Sequence, residues 1–257
     1  MIKLIALAII QGLTEFLPVS SSGHLVLGKH LLGISEPDAT VEIFLHFGTL
    51  LSILVFYRRR IWELLRALFR ADFRSPEGRE ILFILWASIP AGVIGVLFDE
   101  YIESLFSAPE FAATMLIITG GILLSTIFAQ RRQLSRQLGW GNTIFIGFAQ
   151  ALAILPGISR SGSTISAALW SGINPRKAAE FSFLLAVPAL AGAIVLKGAK
   201  MLKAGVSPSP QLWAAVLVAA VVGYFALALL IPIIRRGKLW IFGIYCLILG
   251  CVSLILI

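Results

Sequence analysis

Long apolar stretches alternate with short charged or proline-containing breaks along the whole chain. Six of these stretches approach the roughly 20 residues that a helix needs to cross a bilayer. They are residues 41–57, 82–98, 111–130, 178–198, 211–234 and 238–257. The breaks between them include Ser75-Pro76-Glu77 and Ser207-Pro208-Ser209-Pro210, whose composition is typical of turns. The pattern predicts an all-α integral membrane protein with six transmembrane helices.

Two further apolar segments, residues 1–33 and 139–173, are each broken in the middle by a proline and a run rich in Ser and Gly. The first contains Leu17-Pro18-Val19-Ser20-Ser21-Ser22-Gly23-His24, and the second contains Leu155-Pro156-Gly157-Ile158-Ser159-Arg160-Ser161-Gly162-Ser163-Thr164. Non-helical backbone at membrane depth is tolerated only where it is buried in protein or faces a water-filled cavity. We therefore predict two re-entrant segments of broken helix, and we look for the functional site there.

The two broken segments resemble copies of one another within a single membrane domain, residues 1–257. The number of residues from Pro18 to Pro156 equals the number from Glu42 to Glu180. Three predicted spans separate the segments, so the second begins on the opposite side of the membrane from the first. This predicts an inverted-topology repeat of residues 1–130 and 139–257, in which the broken helices meet near the midplane. Chance similarity between apolar sequences is the alternative.

Composition and charge exclude a soluble domain and give an orientation. Of the 257 residues, 58% are hydrophobic and 13% charged, whereas soluble domains carry about 25% charged residues. The net charge of +8 comes mainly from short basic segments between spans. Such segments stay on the cytoplasmic side, which makes residues 58–80 a cytoplasmic basic loop and places the acidic segment 99–110 outside. The basic charge is thus explained by topology, and no nucleic-acid partner is expected.

Cys246 and Cys251 lie in the apolar C-terminal stretch and lack the spacing of metal ligands. We interpret both as packing residues within the membrane.

The residues in and near the two breaks suit a phosphorylated ligand. Arg160 is a charged residue deep in an apolar segment, where an ionisable group is a functional hypothesis by default. Its guanidinium offers a planar fork for phosphate oxygens, and hydroxyls and helix N-termini add further donors. Gln11 and Glu15 share one face of a helix, and Glu15 with Gln11 could hold a divalent cation that bridges phosphate oxygens. A serine hydroxyl near His24 could act as a nucleophile with its base.

Each of these features also has a purely structural interpretation. Runs of Ser and Gly often permit close packing of membrane helices. Arg160 could form a structural ion pair with Glu15, and His24 could be a hydrogen-bonded structural residue. His46 lies four residues after Glu42, which suits a polar pair on one helix. No part in the chemistry is expected for His30, His46, Glu42 and Glu180.

Residues 11–24 and 156–164 resemble the two signatures of the undecaprenyl pyrophosphate phosphatase (bacitracin-resistance) family. The first signature is a Glu/Gln-x-x-x-Glu element followed by Pro-x-Ser-Ser-x-Gly-His, and the second is Pro-Gly-x-Ser-Arg-Ser-x-x-Thr. Chain length and signature spacing agree with the family along the whole chain. Position 11 is Gln where many relatives have Glu, which weakens any role for this residue as a source of negative charge.

The resemblance implies hydrolysis of undecaprenyl diphosphate to the monophosphate carrier of peptidoglycan synthesis, with a divalent cation, Mg²⁺ or Ca²⁺, required. Glu15 would be the essential carboxylate, with Gln11 beside it at the metal. The residues implied to bind the phosphates are Arg160, Ser159, Ser161, Thr164, Ser20 and Ser22. Ser21 and His24 are implied as nucleophile and base, with a metal-activated water as the alternative nucleophile.

The same resemblance places the protein in the bacterial inner membrane with its site facing the periplasm. Its partners would be the polyprenyl diphosphate substrate and membrane lipid, and a homodimer is left open. A lipid-phosphate transporter or flippase is the rival function, because inverted repeats with broken helices are characteristic of secondary transporters.

Overall fold

A computed structural model of the chain describes residues 1–31, 39–130, 135–203 and 209–257. These residues form twelve α-helices, which confirms the predicted all-α class. The helices are α1 (Ile2–Phe16), α2 (Ser21–Leu31), α3 (Ala39–Phe56), α4 (Arg58–Phe69), α5 (Pro76–Leu97), α6 (Asp99–Leu105), α7 (Pro109–Gln130), α8 (Trp140–Leu152), α9 (Arg160–Trp170), α10 (Pro175–Lys203), α11 (Pro210–Arg235) and α12 (Trp240–Leu256).

Helices α3, α5, α7, α10, α11 and α12 cover the six predicted spans. Four of them, α5, α7, α10 and α11, are each long and apolar enough to cross a membrane. Helix α3 reaches that length only together with α4, from which it is bent by 83°, and α12 has 17 residues. The protein is therefore a multi-pass membrane protein, and the count of six spans stays a prediction.

The basic segment 58–80 is largely helical, not the loop that its charge suggested. Helix α4 occupies its first half, and α5 begins at Pro76. Leu64 of α4 is buried, whereas Arg59, Trp62 and Phe69 are exposed. A short helix with one apolar and one basic face is suited to the membrane interface, which explains why a strongly charged segment forms a helix here.

Prolines set the beginnings of four long helices: Pro76, Pro109, Pro175 and Pro210. The first turn of a helix tolerates proline because its N–H groups have no partner within the helix. Ser75 caps the N-terminus of α5, since the Gly78 N–H donates to its hydroxyl at 3.1 Å. The breaks recognised in the sequence thus define where the long helices begin.

Small residues bring α3 and α11 into close contact. A Cβ atom on Gly48 would lie 2.5 Å from the Val216 carbonyl oxygen, and one on Gly223 would lie 2.6 Å from Ser52 Oγ. Backbones approach this closely in membranes through glycine and other small residues. Gly48 lies beside Val216, and Ser52 lies beside Gly223. Both residue numbers rise in the same direction, so the two helices run parallel.

Helices α5 and α10 are also parallel, and ion pairs lie near both of their ends. Near their N-terminal ends Lys177 donates to Glu80 at 2.7 Å, and Arg60 of α4 donates to the same carboxylate at 2.5 Å. Near their C-terminal ends Lys200 donates to Asp99, the first residue of α6, at 2.6 Å. Between these ion pairs a cleft opens along the two helices, and it leads to the two helix breaks.

Candidate active site

The two breaks of the apolar segments contact each other. The Gly157 N–H donates to Ser22 Oγ at 3.3 Å, and a Cβ atom on Gly23 would lie 3.0 Å from Gly157 Cα. Gly157 has a φ of +97°, which favours glycine. Thr119 of α7 holds this second break, because its hydroxyl donates to the Gly157 carbonyl at 2.8 Å and accepts from the Ser159 N–H at 3.1 Å.

A helix begins immediately after each break, and a serine caps each one. Ser20 Oγ accepts from the Gly23 N–H at 3.2 Å at the start of α2. Ser159 Oγ accepts from the Gly162 N–H at 3.0 Å at the start of α9. Caps of this kind leave other N–H groups of the first turn available, and a helix N-terminus favours an anion. Two such N-termini therefore meet at one place in the bundle.

Glu15 and Arg160 form an ion pair between the two halves of the chain. Arg160 Nη2 donates to Glu15 Oε1 at 2.6 Å. Oε2 accepts from Ser21 Oγ at 2.7 Å and from Gln11 Nε2 at 2.9 Å. The side chains of Glu15 and Arg160 are only 5% and 14% exposed. Arg160 Nη1 is buried without a hydrogen-bond partner among the described residues, so the ion pair leaves one donor group of the guanidinium unused.

The hydroxyl residues of the two signatures separate into two groups. Ser20, Ser21, Ser22 and Ser159 line a cavity beside the ion pair, and Ser161 Oγ lies 3.3 Å from Ser159 Oγ. Thr164, in contrast, holds α9 in place. Its hydroxyl donates to the Arg160 carbonyl at 2.8 Å and lies 2.5 Å from Ser182 Oγ of α10.

The structure shows no hydrogen bond between His24 and Ser21. His24 Nδ1 donates to the Ser20 carbonyl at 2.8 Å, and Nε2 accepts from the Tyr245 hydroxyl at 2.8 Å. The two rings also stack, with centroids 5.7 Å apart. Both ring nitrogens of His24 are thus occupied, so its action as a base on Ser21 stays a prediction. Sequence reasoning did not identify Tyr245, which comes from the distant helix α12.

His46 lies beside the site, contrary to the expectation from its sequence position. Its Nδ1 atom is 3.0 Å from Gln11 Nε2 and 3.4 Å from Glu15 Oε2. The interpretation of His46 as the polar partner of Glu42 is wrong, because Glu42 accepts from Lys29 Nζ at 2.5 Å instead. The only signal in the sequence was an ionisable ring within an apolar span.

A cavity of about 410 Å³ joins these residues to the cleft between α5 and α10. Its inner end is lined by Glu15, Ser21, His46 and Arg160. From there it follows apolar and small residues of the two helices to Asp99, Glu103 and Lys197. Gly92 and Gly192 line this passage, and a Cβ atom on either would meet nothing within 4 Å. The cavity is therefore polar at the ion pair and apolar along the cleft.

A model of the family described as bacitracin resistance protein BacA matches residues 4–252. The chain belongs to the BacA family. Among its relatives is an undecaprenyl-diphosphatase of Desulfatibacillum aliphaticivorans, 40% identical, with 99% of this chain and 98% of the relative aligned. An undecaprenyl-diphosphatase of Halothermothrix orenii is 41% identical over 99% and 97% of the two chains, and one of Bacteroides fragilis is 41% identical over 97% and 95%. The resemblance seen in the two signatures is thereby confirmed.

In this BacA family member, Glu15 and Gln11 are the side chains that could hold a divalent cation. No group of three His, Cys, Asp or Glu side chains that could hold a metal occurs among the described residues. Gln11 Oε1, however, is a buried carbonyl oxygen with no hydrogen-bond partner in the described part of the chain, and the nitrogen of the same amide contacts Glu15. Mg²⁺ is usually held by one or two carboxylates together with substrate phosphates. Glu15 would supply the carboxylate of that pattern and Gln11 an amide oxygen, and substrate phosphates and water would supply the remaining ligands.

Proposed function

We propose that this chain hydrolyses undecaprenyl diphosphate to undecaprenyl phosphate and inorganic phosphate, which returns the lipid carrier to cell-wall synthesis. Membership of the BacA family and the names of the aligned relatives support this activity. The observation that carries it is the Arg160 guanidinium, whose Nη1 has no partner among the described residues and which adjoins a cavity inside an apolar bundle. A buried cationic fork with a donor to spare suits the phosphate of a lipid.

In this proposal the diphosphate binds where the two helix N-termini meet. Arg160 donates to the terminal phosphate through Nη1, while Nη2 remains on Glu15. The hydroxyls of Ser20, Ser22, Ser159 and Ser161 donate to the other phosphate oxygens. Thr164 acts indirectly, by fixing the first turn of α9 and hence the position of Arg160.

Ser21 is the proposed nucleophile, and Glu15 is proposed as its base in place of His24, whose ring nitrogens are both bonded to other groups. The Ser21 hydroxyl lines the cavity and already donates to Glu15 Oε2 at 2.7 Å, and an adjacent base is what activates a serine. Ser21 Oγ attacks the terminal phosphorus, its proton passes to Glu15, and the bond to the bridging oxygen breaks. Undecaprenyl phosphate leaves with that oxygen. Water then attacks the phosphoserine, and the bond between Ser21 Oγ and phosphorus breaks. Glu15 returns its proton to Ser21 Oγ, and the protons of the water leave with inorganic phosphate.

A divalent cation, Mg²⁺ or Ca²⁺, is proposed as cofactor, held by Glu15 and by Gln11 Oε1. It would neutralise charge on the phosphate oxygens.

The polyprenyl tail is proposed to lie in the cleft between α5 and α10. This part of the cavity is lined by Gly92, Gly95 and Gly192, and apolar side chains such as Ile154, Pro188 and Ile194 surround it. A substrate headgroup could enter sideways from the bilayer along this cleft without leaving its tail in water. The absence of side chains at the three glycines provides the width that the tail requires.

The site is proposed to face the periplasm from the bacterial inner membrane. The cavity reaches Asp99 and Glu103 of the acidic segment, whereas Arg60 and Lys177 lie at the other ends of α5 and α10. Basic segments remain cytoplasmic, so the end of the bundle that carries Asp99 is the outer one.

Product analysis tests the proposed activity. Purified protein in detergent is incubated with undecaprenyl diphosphate and Mg²⁺ or Ca²⁺, and both products are measured. We expect inorganic phosphate and undecaprenyl phosphate in equal amounts. A folded protein that released no phosphate, yet moved a labelled lipid phosphate across vesicle membranes, would replace this proposal with the rival transporter function.

A further inference from the structure

His46 is the imidazole that faces the reaction cavity. It lies on α3, lines the cavity with Glu15, Ser21 and Arg160, and its side chain is 28% exposed. His24, by contrast, has both ring nitrogens bonded to protein groups and is not among the cavity-lining residues. The two histidines therefore occupy different environments, although only His24 belongs to a signature.

The contacts of His46 determine which ring nitrogen carries the hydrogen. Glu15 Oε2 can only accept as a carboxylate, so the Gln11 amide nitrogen faces it at 2.9 Å. The same nitrogen is 3.0 Å from His46 Nδ1 and donates its second hydrogen there. With Nδ1 accepting from Gln11, Nε2 is the ring nitrogen left to donate toward the cavity. Nδ1 is also 3.4 Å from Glu15 Oε2, a longer separation than the one to Gln11.

We propose that His46 binds the substrate, donating a hydrogen bond from Nε2–H to a non-bridging oxygen of the diphosphate. Among the described residues no hydrogen bond occupies Nε2, whereas Nδ1 is fixed by Gln11. Glu15 lies between the two donors, with Arg160 bonded to Oε1 and the Gln11–His46 pair beside Oε2. Arg160 and His46 thus approach the headgroup from the two sides of one carboxylate. This inference rests on the proposed phosphatase function.

Two amide substitutions separate this role from a merely structural one. The amide nitrogen of a Gln side chain reaches the position of the histidine Nε2, so His46→Gln keeps a donor toward the cavity. The amide of an Asn side chain ends nearer the position of Nδ1, so His46→Asn can still accept from Gln11 but lacks the cavity donor. His46→Phe keeps the ring shape and removes both functions.

The experiment measures KM and kcat for phosphate release by these three variants, with His30→Gln as the control for a histidine outside the cavity. We expect His46→Phe and His46→Asn to lose about 10- to 100-fold in kcat/KM, mainly through a higher KM, as for a lost hydrogen bond to a charged group. His46→Gln should recover most of that loss. Thermal unfolding of each variant in detergent shows whether it is folded.

Other outcomes overturn the inference. Wild-type activity in His46→Asn would mean that His46 only orients Gln11. A loss of kcat common to all three variants, with KM unchanged, would mean that the ring transfers a proton instead of binding the headgroup. Binding of a polyprenyl methylenediphosphonate, which cannot be hydrolysed, is measured in parallel. If wild type bound this analogue but released no phosphate from undecaprenyl diphosphate, the phosphatase proposal would fail. Weaker binding of the analogue by His46→Asn than by His46→Gln would still support the His46 donor.

Discussion

Arg160 and Glu15 lie 145 positions apart in the sequence, yet Nη2 of the arginine donates to Oε1 of the glutamate at 2.6 Å. The arginine begins α9, after the second break, and the glutamate lies in the last turn of α1, before the first. Each charge would be costly alone in an apolar bundle, and each neutralises the other. The pair therefore joins the two halves of the chain at the point where the substrate headgroup is proposed to bind.

Replacing Ser21 tests the choice of nucleophile. We expect Ser21→Ala to lower phosphate release by at least about 1000-fold, because the attacking oxygen is removed. Acid quenching of wild type during turnover should trap phosphate on Ser21. Ser88→Ala is the control, since Ser88 lines the same cavity but donates its hydroxyl to its own helix at Ile84. Substantial activity in Ser21→Ala, with no trapped phosphoserine in wild type, would assign the attack to water.

Replacing Gln11 tests the cation site. Gln11→Glu adds a second carboxylate beside Glu15, so we expect half-maximal activity at a lower Mg²⁺ concentration than in wild type. Chelation with EDTA should abolish activity in both proteins, and added Mg²⁺ or Ca²⁺ should restore it. Gln211→Glu carries the same change of charge at an exposed position at the start of α11 and should leave the Mg²⁺ requirement as it is. Full activity in EDTA would contradict the cation proposal.

A side chain at Gly92 tests the path of the lipid tail. The added volume of Gly92→Leu would project into open space between α5 and α10. We expect kcat/KM for undecaprenyl diphosphate to fall by about tenfold or more, with a smaller effect on a short-chain prenyl diphosphate. Gly121→Leu is matched, because a Cβ atom on Gly121 would also meet no atom of the described residues within 4 Å, but Gly121 lies on α7, outside the cavity. Equal losses for long and short substrates would argue against a tail in this cleft.

The ion pairs that hold the other ends of α5 and α10 are expected to contribute to stability. The Glu80 side chain is 4% exposed and accepts from both Arg60 and Lys177. Removing it in Glu80→Ala takes one carboxylate from two cations that both retain Glu180, so we expect a cost of about 1–3 kcal/mol in the free energy of unfolding. Glu63 also pairs with Arg60 but is 54% exposed, and Glu63→Ala should cost about 0–1 kcal/mol. Thermal unfolding in detergent measures the stability of both variants, and equal shifts in their unfolding temperatures would contradict this ranking.

The sequence was sufficient to predict that the two breaks come together. An arginine and a glutamate near proline-broken, hydroxyl-rich runs are conspicuous in an apolar chain, and the two form an ion pair where the breaks meet. The inverted repeat stays a prediction, and the parallel pairs α3–α11 and α5–α10 are what such a repeat would produce. The cleft between α5 and α10 could not be predicted from the sequence. Nothing in the pattern distinguishes a glycine at a helix contact, such as Gly48, from one that faces open space, such as Gly92.

Partners of the histidines could not be predicted either, because they depend on how distant helices pack. His46 was assigned to Glu42 by its spacing of one helical turn, but packing of α3 against α1 gives it Gln11 instead. Tyr245 reaches His24 from the last helix of the chain. Within the basic segment 58–80, the amphipathic spacing of apolar and basic residues produces α4, which the charge pattern did not indicate, and the cytoplasmic side of the segment stays a prediction.

The most direct test of the account is phosphate release from undecaprenyl diphosphate by Arg160→Ala, compared with wild type and with Arg59→Ala, an exposed arginine on α4. We predict that Arg160→Ala lowers kcat/KM by at least about 100-fold, as when a preorganised donor to a developing charge is removed, while Arg59→Ala keeps wild-type activity. Wild-type turnover by a folded Arg160→Ala protein would contradict the assignment of the phosphate site to the meeting point of the two breaks.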